Sequence, residues 1–181
     1  MTTHPWWYIA RSTGVVGWIL LAMTTAGGAA LSNRRARSAP KTLNLHRFLG
    51  GLAVLFVAAH IAALLADGFT DYGPKEILLP LVSVWRPGPV AWGVVGLYIL
   101  IIVETSSLLF RHLPRRLWRR LHNLSYPLFQ VATLHFLSAG TDVYRWSPSW
   151  LTVAIGCALI GVAFWGWVLA DRRTRDPSLQ L

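Results

Sequence analysis

Four histidines sit inside long apolar stretches of this sequence, and their spacing is the first feature with chemical content. His46 and His60 lie fourteen residues apart at the ends of "HRFLGGLAVLFVAAH", and His122 and His135 lie thirteen apart at the ends of "HNLSYPLFQVATLH". An imidazole in hydrocarbon requires a partner, so an intramembrane histidine marks a functional site by default. At about 1.5 Å per residue, the two spacings correspond to about 21 and 20 Å along a helix axis. A neutral imidazole nitrogen is a good iron ligand. One imidazole on each side of an iron leaves no open position, which suits electron transfer better than oxygen binding.

The elements that position these residues are apolar blocks. The chain has 181 residues, of which 54% are hydrophobic and 13% charged, with ten tryptophans. A soluble domain of this size would need far more charged surface. Five blocks of about bilayer-crossing length run over roughly 7–31, 44–66, 90–110, 118–139 and 149–170. The composition therefore predicts an all-α integral membrane protein, a five-helix transmembrane bundle forming one domain over 1–181. The formal net charge is +10. Its basic residues fall in short clusters between apolar blocks, which is the pattern of topology signals rather than of a nucleic-acid interface. The single cysteine, Cys157, excludes an internal disulfide, a cysteine-ligated cluster and a C-x-x-C-H haem attachment. The N-terminal "MTTHPWWYIARSTG" lacks the basic start of a cleaved signal peptide.

Charge asymmetry predicts orientation. Thirteen Lys and Arg residues fall on one side of the five-span frame and four (Arg11, Lys75, Arg86 and Arg145) on the other. The side with thirteen is cytoplasmic by the positive-inside rule, which places the N-terminus outside and the C-terminus in the cytoplasm. Trp6, Trp7, Trp85, Trp92, Trp146 and Trp150 then gather at the outer boundary, and Trp118, Trp165 and Trp167 towards the inner one, as an aromatic belt. The outer segment 67–89, broken by Pro80, is expected to lie at the interface or cap the bundle.

In this frame the second and fourth blocks run in the same direction. His46 and His122 share a depth near the inside, and His60 and His135 share one near the outside. Each level holds one imidazole from each helix, the arrangement needed for two bis-histidine haems stacked across a membrane. Fourteen residues return an ideal helix to within about 40° of its starting face, but thirteen miss by about 140°. Pro127, between His122 and His135, is expected to distort that helix. Gly50 and Gly51, one turn beyond His46, and Gly140, beyond His135, are candidates for close approach of a flat macrocycle. Arg11 at the outer level and Arg47 beside His46 are candidates to pair with anionic propionates; most of the basic residues, including Arg119 and Arg120, are expected to serve topology. Glu104 has no evident partner, and His4 and His112 are expected to be without function.

The segments "ARSTGVVGWILL", "LHRFLGGLAVLFVAAH" and "WRRLHNLSYPLFQVATLHFLSAGTD" resemble the ferric reductase-like transmembrane domain. That superfamily includes ferric reductases, NADPH oxidases and the haem-binding membrane subunit of a bacterial methionine sulfoxide reductase system. The resemblance extends from about Tyr8 to Asp142. It implies two b-type haems, one held by His46 and His122 and the other by His60 and His135, the same pairing as the depth argument. Members commonly have six spans, whereas five are counted here. Many carry a C-terminal flavin and nicotinamide domain, which is not expected here.

The function expected is that of a multi-pass protein of the plasma (inner) membrane, bacterial in type. Electrons would pass from a separate cytoplasmic-side donor (a flavoprotein reductase or quinol) through two haem b groups to an outer-face acceptor such as ferric iron, oxygen or a periplasmic partner. No catalytic residue is evident. One alternative is a quinone-linked cytochrome b subunit of a larger respiratory complex. Another is a haem-free transporter that uses the histidines as proton relays or metal ligands.

Overall fold

The computed structural model describes residues 5–31, 40–68 and 72–140. They form six helices in the order α1 (Pro5–Leu31), α2 (Pro40–Ala66), α3 (Pro74–Leu78), α4 (Pro87–Leu108), α5 (Arg115–His122) and α6 (Ser125–Ala139). No strand occurs among the described residues. The expected fifth block over 149–170, with Cys157, lies outside them. Helices α1 to α4 each begin at a proline, whose fixed φ and missing N–H are tolerated in a first turn.

Three helices, α1, α2 and α4, are long and apolar enough to cross a membrane. Large apolar side chains such as Ile19, Phe48, Leu55 and Ile101 are exposed along them, as lipid-facing helix surfaces require. The chain is a multi-pass membrane protein, all-helical over the described residues. Small residues, Ala10, Ala53, Ala63 and Val94, are buried at the helix contacts, alongside larger ones such as Leu20, Leu128 and Leu137. Small residues let membrane helices approach closely, where lipid offers no hydrophobic drive for association. Helix α1 packs along α2, α4 packs against α6 and α5, and α1 also touches α6. The two histidine-bearing units, α2 and α5–α6, are each backed by a partner helix instead of packing closely on each other.

The sequence predicts one helix over 118–139, and here the structure differs. The block is divided into α5 and α6 by a turn at Asn123 and Leu124. Pro127 has no N–H to donate to the carbonyl of Asn123 four residues back. That carbonyl instead takes the N–H of Tyr126 at 3.2 Å, while the Leu124 N–H bonds Leu121 O at 3.0 Å. Pro127 thus falls in the first turn of α6, where proline is tolerated. In α5, Trp118, Leu121 and His122 share the inward face, while Arg115, Arg116, Arg119 and Arg120 are exposed.

Candidate functional site in two imidazole pairs

The turn before Pro127 has a chemical consequence. It brings both histidines of the divided block opposite those of α2. His46 faces His122 with ring centroids 6.0 Å apart and planes at 76°. His60 faces His135 at 6.4 Å and 75°. An imidazole–metal bond is about 2 Å and a ring centroid lies about 1.1 Å behind the bonding nitrogen, so two imidazoles on opposite sides of one metal have centroids about 6.3 Å apart. Both pairs stand at that separation. Among the described residues no group of three or more His, Cys, Asp or Glu converges. Each pair therefore supplies two ligands only, which suits an iron whose other positions are filled by a macrocycle and not a bare zinc, which takes three or four protein ligands.

Which nitrogen is free follows from the hydrogen bonds. Nδ1 of His60 lies 2.6 Å from the carbonyl oxygen of Ala10. Nδ1 of His46 lies 3.0 Å from that of Thr24, and Nδ1 of His135 lies 2.9 Å from that of Pro89. A carbonyl only accepts, so each Nδ1 carries the proton and each Nε2 keeps its lone pair for a metal. Nδ1 of His122 lies 3.1 Å from Oγ of Ser107. Hydrogen bonds of this kind fix a ligand's tautomer and ring orientation.

Glycines make the close approach possible. A Cβ on Gly14 would stand 3.0 Å from the His60 ring, one on Gly28 would stand 3.1 Å from His46, and one on Gly93 would stand 2.8 Å from His135. In each case the glycine follows the accepting carbonyl by four residues (Ala10 and Gly14, Thr24 and Gly28, Pro89 and Gly93). A side chain at that position would lie over the carbonyl and block the imidazole. The two cradles on α1 are fourteen residues apart, matching the fourteen between His46 and His60 on antiparallel α2.

The His60–His135 pair borders a cavity of about 280 Å³ among α1, α2, α4 and α6, predominantly apolar in its lining. His60 and His135 line it together with Trp18, Phe136 and Arg11. The segment between α2 and α4 closes one end with Tyr72, Glu76, Ile77 and Trp85. Trp7 meets Trp85 edge-on at 6.0 Å. Tyr72 is buried, and desolvation raises its phenol above the ordinary value. Trp18 stacks on Phe136 at 4.7 Å, and its Nε1–H donates to Thr133 Oγ1 at 3.0 Å, tying α1 to α6 beside the pair.

The other expected site residues are placed as follows. Arg11 lines the cavity beside His60 and His135. Arg47 is exposed. Gly50 faces Oε1 of Glu104 and Cγ2 of Thr24, each 3.7 Å from a Cβ built there, and open space surrounds Gly51. Gly140 caps α6 and lines the same cavity. His112, Arg119 and Arg120 are exposed, and His4 lies outside the described residues. Sequence reasoning missed Gly14, Gly28, Gly93, Ser107 and Trp118, whose ring stacks on His122 at 5.1 Å and 16°. The fourteen-residue repeat of glycines in the first block was the available signal.

Comparison with known proteins places this architecture. No solved structure matches the chain. The chain is 31% identical over 140 residues, 75% of its length, to the protein-methionine-sulfoxide reductase heme-binding subunit MsrQ of Xanthomonas euvesicatoria pv. vesicatoria (strain 85-10). It spans about 60% of that relative's length. The model of the ferric reductase like transmembrane component family matches residues 6–133. That match takes in both histidines of α2, His122 of α5 and the cradles of α1 and α4, and the chain belongs to the family of ferric reductase like transmembrane components.

Proposed function

We propose that the chain is a single-domain transmembrane di-haem cytochrome b. It relays electrons from a cytoplasmic-side donor, through an inner haem held by His46 and His122 and an outer haem held by His60 and His135, to an acceptor on the outer face. The observation that carries this reading is the pairing of imidazoles at metal-bridging separation, with the Nδ1 side of every ring hydrogen-bonded. Each haem, when bound, supplies a one-electron ferric/ferrous couple. The protein's residues hold and orient: the histidines ligate, the glycines admit them to their carbonyls, and the apolar lining excludes water. Arg11 balances an outer propionate, and Arg47 an inner one. Gly50, one turn beyond His46, is assigned to the close approach of the inner haem, whereas Gly51 is exposed.

The N-terminus is assigned to the outer side and the C-terminus to the cytoplasm of a bacterial inner membrane, from the distribution of Lys and Arg. The donor is a separate flavoprotein reductase or quinol. The relative's name, a heme-binding subunit of a protein-methionine-sulfoxide reductase, favours an outer acceptor that is a separate catalytic subunit over ferric iron or oxygen.

The test is reconstitution into liposomes that enclose cytochrome c, with dithionite outside. Reduction of the enclosed cytochrome c is expected, and is expected to be lost in His46→Ala and His60→Ala. Haem-loaded protein that leaves the enclosed acceptor oxidised would overturn the relay.

A further inference from the structure

The four histidine cradles are not alike, and the difference falls on one residue. Ala10 and Gly14, Thr24 and Gly28, and Pro89 and Gly93 share one construction: a helix carbonyl, and a glycine four residues on that leaves it open to an imidazole. Fourteen residues beyond Pro89 and Gly93 on the same helix stand Val103 and Ser107. The fourth cradle thus has its carbonyl in register, with serine in the glycine position. Ser107 Oγ donates to Val103 O at 2.8 Å, as mid-helix serines do to the carbonyl four residues back. A hydroxyl has one proton and two lone pairs. With the proton spent on Val103, the lone pairs accept the Nδ1–H of His122 at 3.1 Å.

We propose that Ser107 is a positioning residue for the inner site, a hydroxyl relay between the Val103 carbonyl and His122 that fixes the tautomer and the donor strength of this ligand. The proposal rests on the haem reading above. His122 needs such a tie more than the others. It is the last residue of the eight-residue α5, next to the turn that separates α5 from α6. Its ring is held on one flat face by Trp118 and at its Nδ1 edge by Ser107. The other three ligands lean on backbone carbonyls that no substitution removes. Among the four Nδ1 partners, Ser107 is the one whose chemistry a side-chain change can delete, so the inner site can be tuned independently of the outer one.

The cradle equivalence makes an uncommon prediction. Ser107→Ala leaves a methyl group over the Val103 carbonyl and no acceptor. Ser107→Gly removes the covering side chain and leaves the Val103 carbonyl with only the Ser106 hydroxyl as a side-chain donor, as the Ala10 carbonyl carries that of Thr13, which brings the fourth cradle to the construction of the other three. The experiment is redox titration, low-spin EPR and haem-affinity measurement on the purified full chain. In Ser107→Ala one of two midpoint potentials is expected to move to a more positive value, because a less polarised imidazole stabilises ferric iron less. Haem affinity at that site is expected to fall by about 10- to 100-fold, the usual effect of losing a partner that orients a ligand. The second haem stays unchanged. Ser107→Thr keeps the wild-type values, and Ser107→Gly shifts less than Ser107→Ala.

Ser106→Ala is the control. Its Oγ also donates to Val103 O at 2.8 Å, and it is expected to change neither haem. If Ser107→Ala does not accumulate, Ser107→Cys, with a weak acceptor in place of the hydroxyl, is expected to shift the same haem in the same direction. Unchanged haems in Ser107→Ala, a shift of both haems together, or a loss in Ser107→Gly as large as in Ser107→Ala would overturn the relay. Wild-type protein without two haems would instead overturn the reading on which it rests.

Discussion

The imidazole of His135 rests directly on Gly93: a Cβ built on that glycine would lie 2.8 Å from Cε1 and 2.9 Å from Nδ1 of the ring. Those separations are closer than carbon atoms tolerate, so a methyl group there must displace the ring from the Pro89 carbonyl. Gly93→Ala is expected to lower haem content by about one per chain, and Gly28→Ala to weaken the other site through His46. Gly27, beside Gly28 on α1, meets nothing within 4 Å, and Gly27→Ala is expected to retain full haem content. Pyridine haemochrome assays on the three variants check this.

Pairing itself predicts a pattern of losses. His60→Ala and His135→Ala should each remove the same spectral component, and the double variant should lose no more haem than either single. His46→Ala and His122→Ala should together define the second component. Haem per chain, read with the reduced spectrum of each variant, decides between this pairing and any other assignment of ligands.

The imidazole planes cross at 76° and 75° in the two pairs. Near-perpendicular axial imidazoles leave two of the iron d orbitals almost equal in energy, which gives a highly anisotropic low-spin ferric signal. Both haems are expected to show such signals in frozen-solution EPR. Two ordinary rhombic signals would contradict the ring orientations.

Thr133 is 5% exposed and joins two contacts: it accepts from Trp18 Nε1 at 3.0 Å and donates to Phe129 O at 2.7 Å. Thr133→Val keeps the shape but strands the indole N–H, and is expected to destabilise the bundle by about 1–3 kcal/mol. Thr133→Ser should restore most of that. Denaturant unfolding in detergent measures the difference.

Much of the site is legible because histidine is costly in hydrocarbon and its spacing translates directly into depth. The pairing of His46 with His122 and of His60 with His135 follows from fourteen- and thirteen-residue separations on helices running the same way. The thirteen-residue mismatch also pointed to Pro127. One continuous, distorted helix over 118–139 was still the expectation, because apolar length alone cannot show that α5 ends at His122. The supports of the imidazoles were harder to see. Three of them are backbone carbonyls of Ala10, Thr24 and Pro89, which have no side-chain signature. Their only trace is a glycine four residues later, and glycine is common in membrane helices. Gly50 and Gly51 drew attention through proximity to His46 in sequence. Yet the glycine that touches His46 is Gly28, from the neighbouring helix. The segment 67–89 was expected to lie at the interface or cap the bundle, and it closes the His60–His135 cavity; the contact of Trp7 with Trp85 across a long chain separation was not legible.

The central claim is that each imidazole pair holds one haem. The most direct measurement is the dithionite-reduced minus oxidised spectrum of the purified chain, combined with a pyridine haemochrome determination of haem per chain. The account predicts two b-type haems per chain with six-coordinate, low-spin spectra. Protein produced with ample haem that still binds none, or that binds haem undiminished after replacement of both His60 and His135, would contradict it.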